Sequence, residues 1–181
     1  LEPSLHLVFK KNKYIKNFKE EYELSSNNSA FVKSKKIISE LSSYYNGVWW
    51  IQNFSSMIPI KYGVNFENKS ILDLCAAPGG KSFQILSKNK NIVLNDISKK
   101  KIKVLKENLK RLNFSAKIEN YNVLNFPDKK KYDIIILDAP CSSIGTIRKN
   151  PEIFFKKTSP NFDKLKSTQE STGLKNAIST A

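Results

Sequence analysis

The sequence predicts an open α/β fold built on a parallel sheet, and three observations carry that prediction. A short apolar run at residues 70–74 leads into a small-residue turn at 76–80 and then a helical segment at 81–88. A second run, 91–94, ends at Asn95 and Asp96 and precedes a strongly periodic stretch. A third, 134–137, is continuously apolar, as expected of a central parallel strand buried on both faces, and ends at Asp138. Open α/β sheets place ligands beyond the carboxyl ends of their strands, so Asp96 and Asp138 fall where chemistry is expected.

The chain has 181 residues, 40% hydrophobic and 11% aromatic, enough for one full domain with its own core. No stretch approaches the ~20 apolar residues that span a bilayer. The opening Leu-Glu-Pro-Ser has neither a basic region nor an initiating Met, which reads as a chain cut from something longer rather than a signal peptide. Lys and Arg number 31 against 16 Asp and Glu, a net +15 that favours polyanions, RNA above all. Only two of those cations are Arg, at 111 and 148, so the same excess also reads as Lys-rich solvated surface. Cys75 and Cys141 form no C-x-x-C pair and His6 is the single histidine, so no metal site is expected. Two unpaired cysteines suit a reduced, cytosolic protein.

In chain order, residues 4–9 alternate imperfectly as a strand. Residues 10–19 are basic with Tyr14, Ile15 and Phe18 interleaved. They read either as an RNA-contacting edge or as a small amphipathic element with its aromatics turned inward. His6 has no neighbour in sequence that suggests catalysis, and reads as structural. Residues 47–52 form a strand carrying Trp49 and Trp50, which suit core packing better than base stacking. Residues 54–62 form a short helix limited by Pro59. In the segment 98–112, Ile102, Leu105, Leu109 and Leu112 recur at spacings of three and four, the single apolar face of a helix with Ser98 as its cap. Lys99, Lys100, Lys101, Lys103, Lys106, Lys110 and Arg111 crowd its remainder, read mostly as a solvated face. A further strand is expected over 116–121 and another helix over 158–168, opened by Ser159 and Pro160.

The turn Ala76, Ala77, Pro78, Gly79, Gly80, Lys81 lets backbone approach a ligand and presents a helix N-terminus. A phosphate-cradling P-loop would need glycine where Cys75 stands, and G-x-G-x-x-G is absent, so a less charged nucleotide-like ligand fits better. Asp96 lies 23 residues past Asp73, the spacing of an acid that accepts the two hydroxyls of a ribose. It can also serve the N-terminus of the helix after it. Cys75 reads equally as a small residue of the turn and as a buried thiol.

Two long motifs then coincide: DLCAAPGGK at 73–81 and DAPCSSIGTIRKNPE at 138–152. Together they resemble the RNA cytosine carbon-5 methyltransferases, over residues 47–152 and more weakly beyond. The resemblance implies a Rossmann-like class I S-adenosylmethionine-dependent methyltransferase fold, with residues 46–181 as an incomplete catalytic domain and 1–45 as the end of an accessory RNA-binding subdomain. It implies S-adenosylmethionine held by Cys75, Ala76, Ala77, Pro78, Gly79, Gly80, Lys81, Asp96, Asn122 and Asp138. The family carries an acid on the adenine side where this chain has Asn122, whose amide oxygen can still accept a hydrogen bond. Asp138 would hold the cytosine edge near the transferred methyl, and Arg148 and Lys149 would contact RNA.

Carbon 5 of cytosine becomes nucleophilic only after a thiolate adds to carbon 6. From the residues alone Cys141 is the candidate nucleophile. By resemblance it assists product release, the nucleophile being the cysteine of a Thr-Cys-Ser motif absent from this chain. The expectation is a cytoplasmic, monomeric enzyme forming 5-methylcytosine in RNA, with ribosomal RNA as substrate and no metal or membrane partner. Two other readings stand beside it: an inactive fragment that binds RNA or cofactor, and a methyltransferase with a non-RNA acceptor.

Overall fold

The computed structural model describes residues 5–127 and 131–138. The segment expected as a helix over 158–168, together with Cys141, Arg148 and Lys149, lies outside the described residues.

An N-terminal antiparallel sheet comes first. Strand β1 (Leu5–Phe9) leads to the short helix α1 (Asn12–Ile15), then β2 (Tyr22–Ser26), β3 (Ser29–Val32) and β4 (Trp49–Ile51). The order across the sheet is β2-β3-β1-β4. The hairpin β2–β3 turns on Asn27 and Asn28, and Asn28 ties it to β1 by donating from Nδ2 to the Phe9 carbonyl at 3.0 Å. Because β4 pairs with β1, Val8 opposite Trp50, this sheet extends past the expected boundary at residue 45. A cut there would remove one of its edges.

The basic segment after β1 turns its apolar side chains inward: Ile15 and Phe18 are buried, and the Phe18 ring meets Phe9 and Trp49 edge-on at 5.4 and 6.2 Å. Lys11, Lys13, Lys16 and Lys19 remain exposed. His6 is buried, with Nδ1 2.7 Å from the Gln52 carbonyl and Nε2 2.8 Å from Ser25 Oγ, a structural histidine as its sequence context indicates.

Helix α2 (Phe54–Tyr62) is capped by Asn53 and carries Pro59. It is followed by β5 (Ile71–Asp73), α3 (Gly80–Leu86), β6 (Ile92–Asn95), α4 (Lys99–Arg111), β7 (Lys117–Glu119) and β8 (Ile134–Ile136). The second sheet is parallel in the order β7-β6-β5-β8. Leu72 pairs with Val93 on one side and Ile135 on the other. The direction of winding reverses between β5 and β8, and this is where a doubly wound sheet opens its ligand crevice. Ser70 and Asp133 clip the two strands at their start, the Ser70 amide and hydroxyl donating to Asp133 Oδ2 at 2.6 and 2.7 Å.

Helix α4 matches the periodicity of its sequence: Ile102, Leu105 and Leu109 are buried and Ser98 caps the Lys101 amide at 3.3 Å. Strand β8 departs from expectation. Its three isoleucines are half-buried rather than enclosed on both faces, because among the described residues only β5 lies beside it.

Alternation along β4 joins the two sheets. Successive side chains on a strand face opposite ways, so Trp49 enters the core beneath the N-terminal sheet with Leu7, Phe9 and Ile15. Trp50 enters the core of the parallel sheet with Val8, Phe83 and Leu94. Both tryptophans are core residues, not base-stacking surfaces.

Candidate functional site

The site forms at the carboxyl ends of the parallel strands. After Asp73 the chain makes the turn of residues 74–79, with a cis bond between Ala77 and Pro78. Gly79 has φ +117°, and an added Cβ there would lie 2.0 Å from the Phe83 ring, so only glycine fits. Asp73 is fully enclosed. Its Oδ2 accepts from Ser82 Oγ at 2.6 Å, while Oδ1 has no partner among the described residues. Burial, reinforced by the Asp138 charge, pushes its carboxyl up to about 6, against the opposing pull of Ser82, the Cys75 amide and Lys81.

Asp96 stands at the tip of β6. It is buried, and its carboxylate accepts from the Ala77 amide at 3.3 Å through Oδ2 and from the Ser98 amide at 2.8 Å through Oδ1. It therefore braces the turn and leads into α4 at once, and each oxygen retains acceptor capacity. Asn95 beside it marks the strand end in sequence but carries no role there. Enclosed completely, it donates to the carbonyls of Leu74 and Tyr121 at 3.0 and 3.1 Å and accepts from the Tyr121 amide at 2.9 Å. One side chain thus ties the ends of β5, β6 and β7 together. Only its place at a strand tip, next to an acid, could have marked it.

Asn122 is exposed and its amide oxygen caps the Leu124 amide at 3.0 Å, so the acceptor expected for adenine already serves a short 3₁₀ turn, Val123–Asn125. Ile97 and Tyr121, exposed at 62% and 42%, flank that rim and offer apolar surface that the motifs did not reveal.

Lys81, in the first turn of α3, reaches across to β8: its Nζ lies 2.6 Å from Asp138 Oδ2. The two motifs, far apart in sequence, are joined by this ion pair. Cys75 is half-buried, and its thiol is pushed up to about 11 by burial and then by Asp96, Asp73 and Asp138. At neutral pH it stays protonated and is no nucleophile. Three carboxylates thus ring the turn. Such a collar repels phosphate groups and suits a ligand bearing cationic and hydroxyl donors. S-Adenosylmethionine has a sulfonium, an ammonium and a ribose, and so fits the residues present.

The N-terminal sheet is locked to this unit from the far end of α4. The Arg111 guanidinium donates from one nitrogen to the Tyr44 and Trp49 carbonyls, both at 3.1 Å, and lies over the Tyr44 ring at 4.5 Å. Lys10 Nζ donates to the Leu112 carbonyl. Arg111 therefore leaves the solvated face its sequence position suggested, and burial lowers its proton affinity. Among the described residues no helix is long and apolar enough to cross a membrane.

A family model, 16S rRNA methyltransferase RsmB/F, matches residues 64–180. Ribosomal RNA small subunit methyltransferase B of Photorhabdus laumondii is 37% identical over 118 residues, covering 62% of this chain and 28% of that protein. The 28S rRNA (cytosine-C(5))-methyltransferase of Mus musculus is 38% identical over 115 residues, covering 61% and 14%. The chain therefore spans under a third of the length of either relative. In structure it resembles NSun6 from Pyrococcus horikoshii, solved with SFG, at TM-score 0.79 and 17% identity over 99% of this chain and 73% of that one. That likeness covers both sheets and establishes the Rossmann-like methyltransferase fold. With more than half its residues inside the family model, the chain belongs to the 16S rRNA methyltransferase RsmB/F family.

Proposed function

We propose that the protein uses S-adenosylmethionine to form 5-methylcytosine in RNA, with ribosomal RNA as substrate. The observation that carries this reading is the collar of Asp73, Asp96 and Asp138 around a glycine turn, in a chain whose relatives are named as rRNA cytosine methyltransferases. S-Adenosylmethionine supplies the electrophilic methyl group. The turn of Cys75, Ala76, Ala77, Pro78, Gly79, Gly80 and Lys81 gives it close backbone approach. Asp96 accepts from the ribose hydroxyls, and Ile97 and Tyr121 flank the base, with Asn122 at the rim.

On the RNA side, Asp138 accepts from the cytosine amino edge while Lys81 holds that carboxylate in place. A cysteine thiolate adds to carbon 6, carbon 5 gains the methyl and loses its proton, and the thiolate leaves as the double bond re-forms. Cys141 assists that release, and Arg148 and Lys149 contact the RNA backbone. Residues 1–45 with β4 serve as the RNA-facing accessory part. A single-stranded target lowers the cost of bringing the base into the pocket.

The test is calorimetry with S-adenosylmethionine on the parent and on Asp96→Ala, which loses about 1.5–3 kcal/mol of binding if its hydrogen bonds are charge-assisted. Unchanged affinity removes Asp96 from the site. Nucleoside mass spectrometry of ribosomal RNA from a deletion strain identifies the product. In a protein that also carries the Thr-Cys-Ser cysteine, a Cys141→Ala variant that accumulates a covalent RNA adduct on a denaturing gel supports the release role, whereas lost activity without an adduct makes Cys141 the nucleophile.

A further inference from the structure

Helix α4 carries four lysines in one line. At 100° per residue, Lys99, Lys103, Lys106 and Lys110 fall within about 60° of arc and extend over roughly 16 Å of axis. All four are exposed. Three of them line a shallow groove of about 320 Å³, floored by Ile102 and walled by Asn120. The single acid of α4, Glu107, adjoins the row four residues after Lys103 and three before Lys110 but forms no ion pair among the described residues, and Glu119 on the neighbouring strand is taken up by Lys117 at 2.6 Å. The field of the row is thus left largely unneutralised. The row starts three residues past Asp96, at the helix end whose dipole is positive, and runs away from the cofactor turn.

We propose that this row, with the groove between α4 and the Asn120 loop, is a track that holds the phosphate backbone of the RNA along the β6–β7 side of the sheet. The inference rests on the RNA reading above and adds where the strand lies. A line of regularly spaced ammonium groups matches a polyanion of regular charge spacing, and it begins beside Asp96 at the cofactor end of the sheet.

The test compares three proteins binding a single-stranded oligoribonucleotide at 50–200 mM salt. These are the parent, a variant with Lys99, Lys103, Lys106 and Lys110 all changed to Gln, and a control with the exposed Lys69, Lys88, Lys90 and Lys131 changed to Gln. Both variants lose the same charge from exposed positions, and circular dichroism checks their folding. Each phosphate contact on a single strand contributes about 0.7 to the slope of log affinity against log salt. The row variant should therefore lose a slope of nearly 3, the share that costs the parent roughly 50-fold across that salt range. The control should lose less. Equal losses in the two variants, or a larger loss in the control, overturn the track while leaving RNA binding intact. A parent that shows no salt-dependent RNA binding sinks the RNA reading and the track with it. Polyglutamate that competes as well as RNA of equal charge overturns the assignment of the partner.

Discussion

Lys81 Nζ and Asp138 Oδ2 stand 2.6 Å apart, one from the helix after the first parallel strand and one from the end of the last described strand. The pair crosses the point where the sheet reverses its winding, so it fixes the carboxylate at the mouth of the crevice. The Asp138 side chain is 56% exposed and that of Lys81 17%. An ion pair so open to water contributes at most about 1 kcal/mol to stability.

Lys81→Met and Asp138→Asn should therefore each lower stability by less than about 1 kcal/mol in urea unfolding, yet under the proposed reaction, in a protein that also carries the Thr-Cys-Ser cysteine, both should lose most methylation of cytosine. Their losses of turnover should overlap in the double variant rather than add, because each removes the same constraint. Additive losses would show that the two side chains act separately.

Asp73 predicts a pH dependence. Its folded carboxyl titrates near 6 against an ordinary 3.8. Below the lower value both states are protonated and burial costs nothing. Between the two values the unfolded chain ionises while the folded one keeps its proton, so stability falls as pH rises, and above 6 the cost is complete at roughly 3 kcal/mol. Asp73→Asn should flatten that fall between pH 4 and 6. Denaturant midpoints at unit pH intervals measure it, and an unchanged slope would place the titration elsewhere.

Arg111 predicts a mechanical effect. One terminal nitrogen of its guanidinium serves two carbonyls of the N-terminal unit, and Gly47 comes so close to the Arg111 carbonyl that an added Cβ would lie 1.8 Å away. Arg111→Lys cannot reproduce the flat guanidinium that lies over Tyr44 while bonding both carbonyls, and should cost about 2 kcal/mol, visible as a lower urea midpoint. Proteolysis near residue 45 should quicken. A midpoint unchanged in Arg111→Lys would mean that the buried tryptophans alone hold the units together.

The order of strand, turn and helix from residue 70 to residue 112 was legible in the chain itself. Apolar runs ending in acids, a glycine turn and a heptad-like spacing are local patterns, and local backbone preferences impose them. Asp96 and Asp138 were placed by the same means, since a strand tip is a position along the chain. The β2–β3 hairpin was not legible, because its strands are short and alternate weakly. Other features had no local signature at all. Trp49 and Trp50 look alike in sequence, and only the packing of two sheets on opposite faces of β4 sends them into different cores. Asp73, Asp96 and Asp138 are widely spaced in sequence until folding brings them around one thiol, and burial pushes the Asp73 carboxyl and that thiol up. Arg111 became a clamp because the helix end it sits on docks against another unit's carbonyls. Periodicity is a property of neighbours along the chain, whereas burial, ion pairing and shifted proton affinities depend on neighbours in space, and tertiary structure alone decides those.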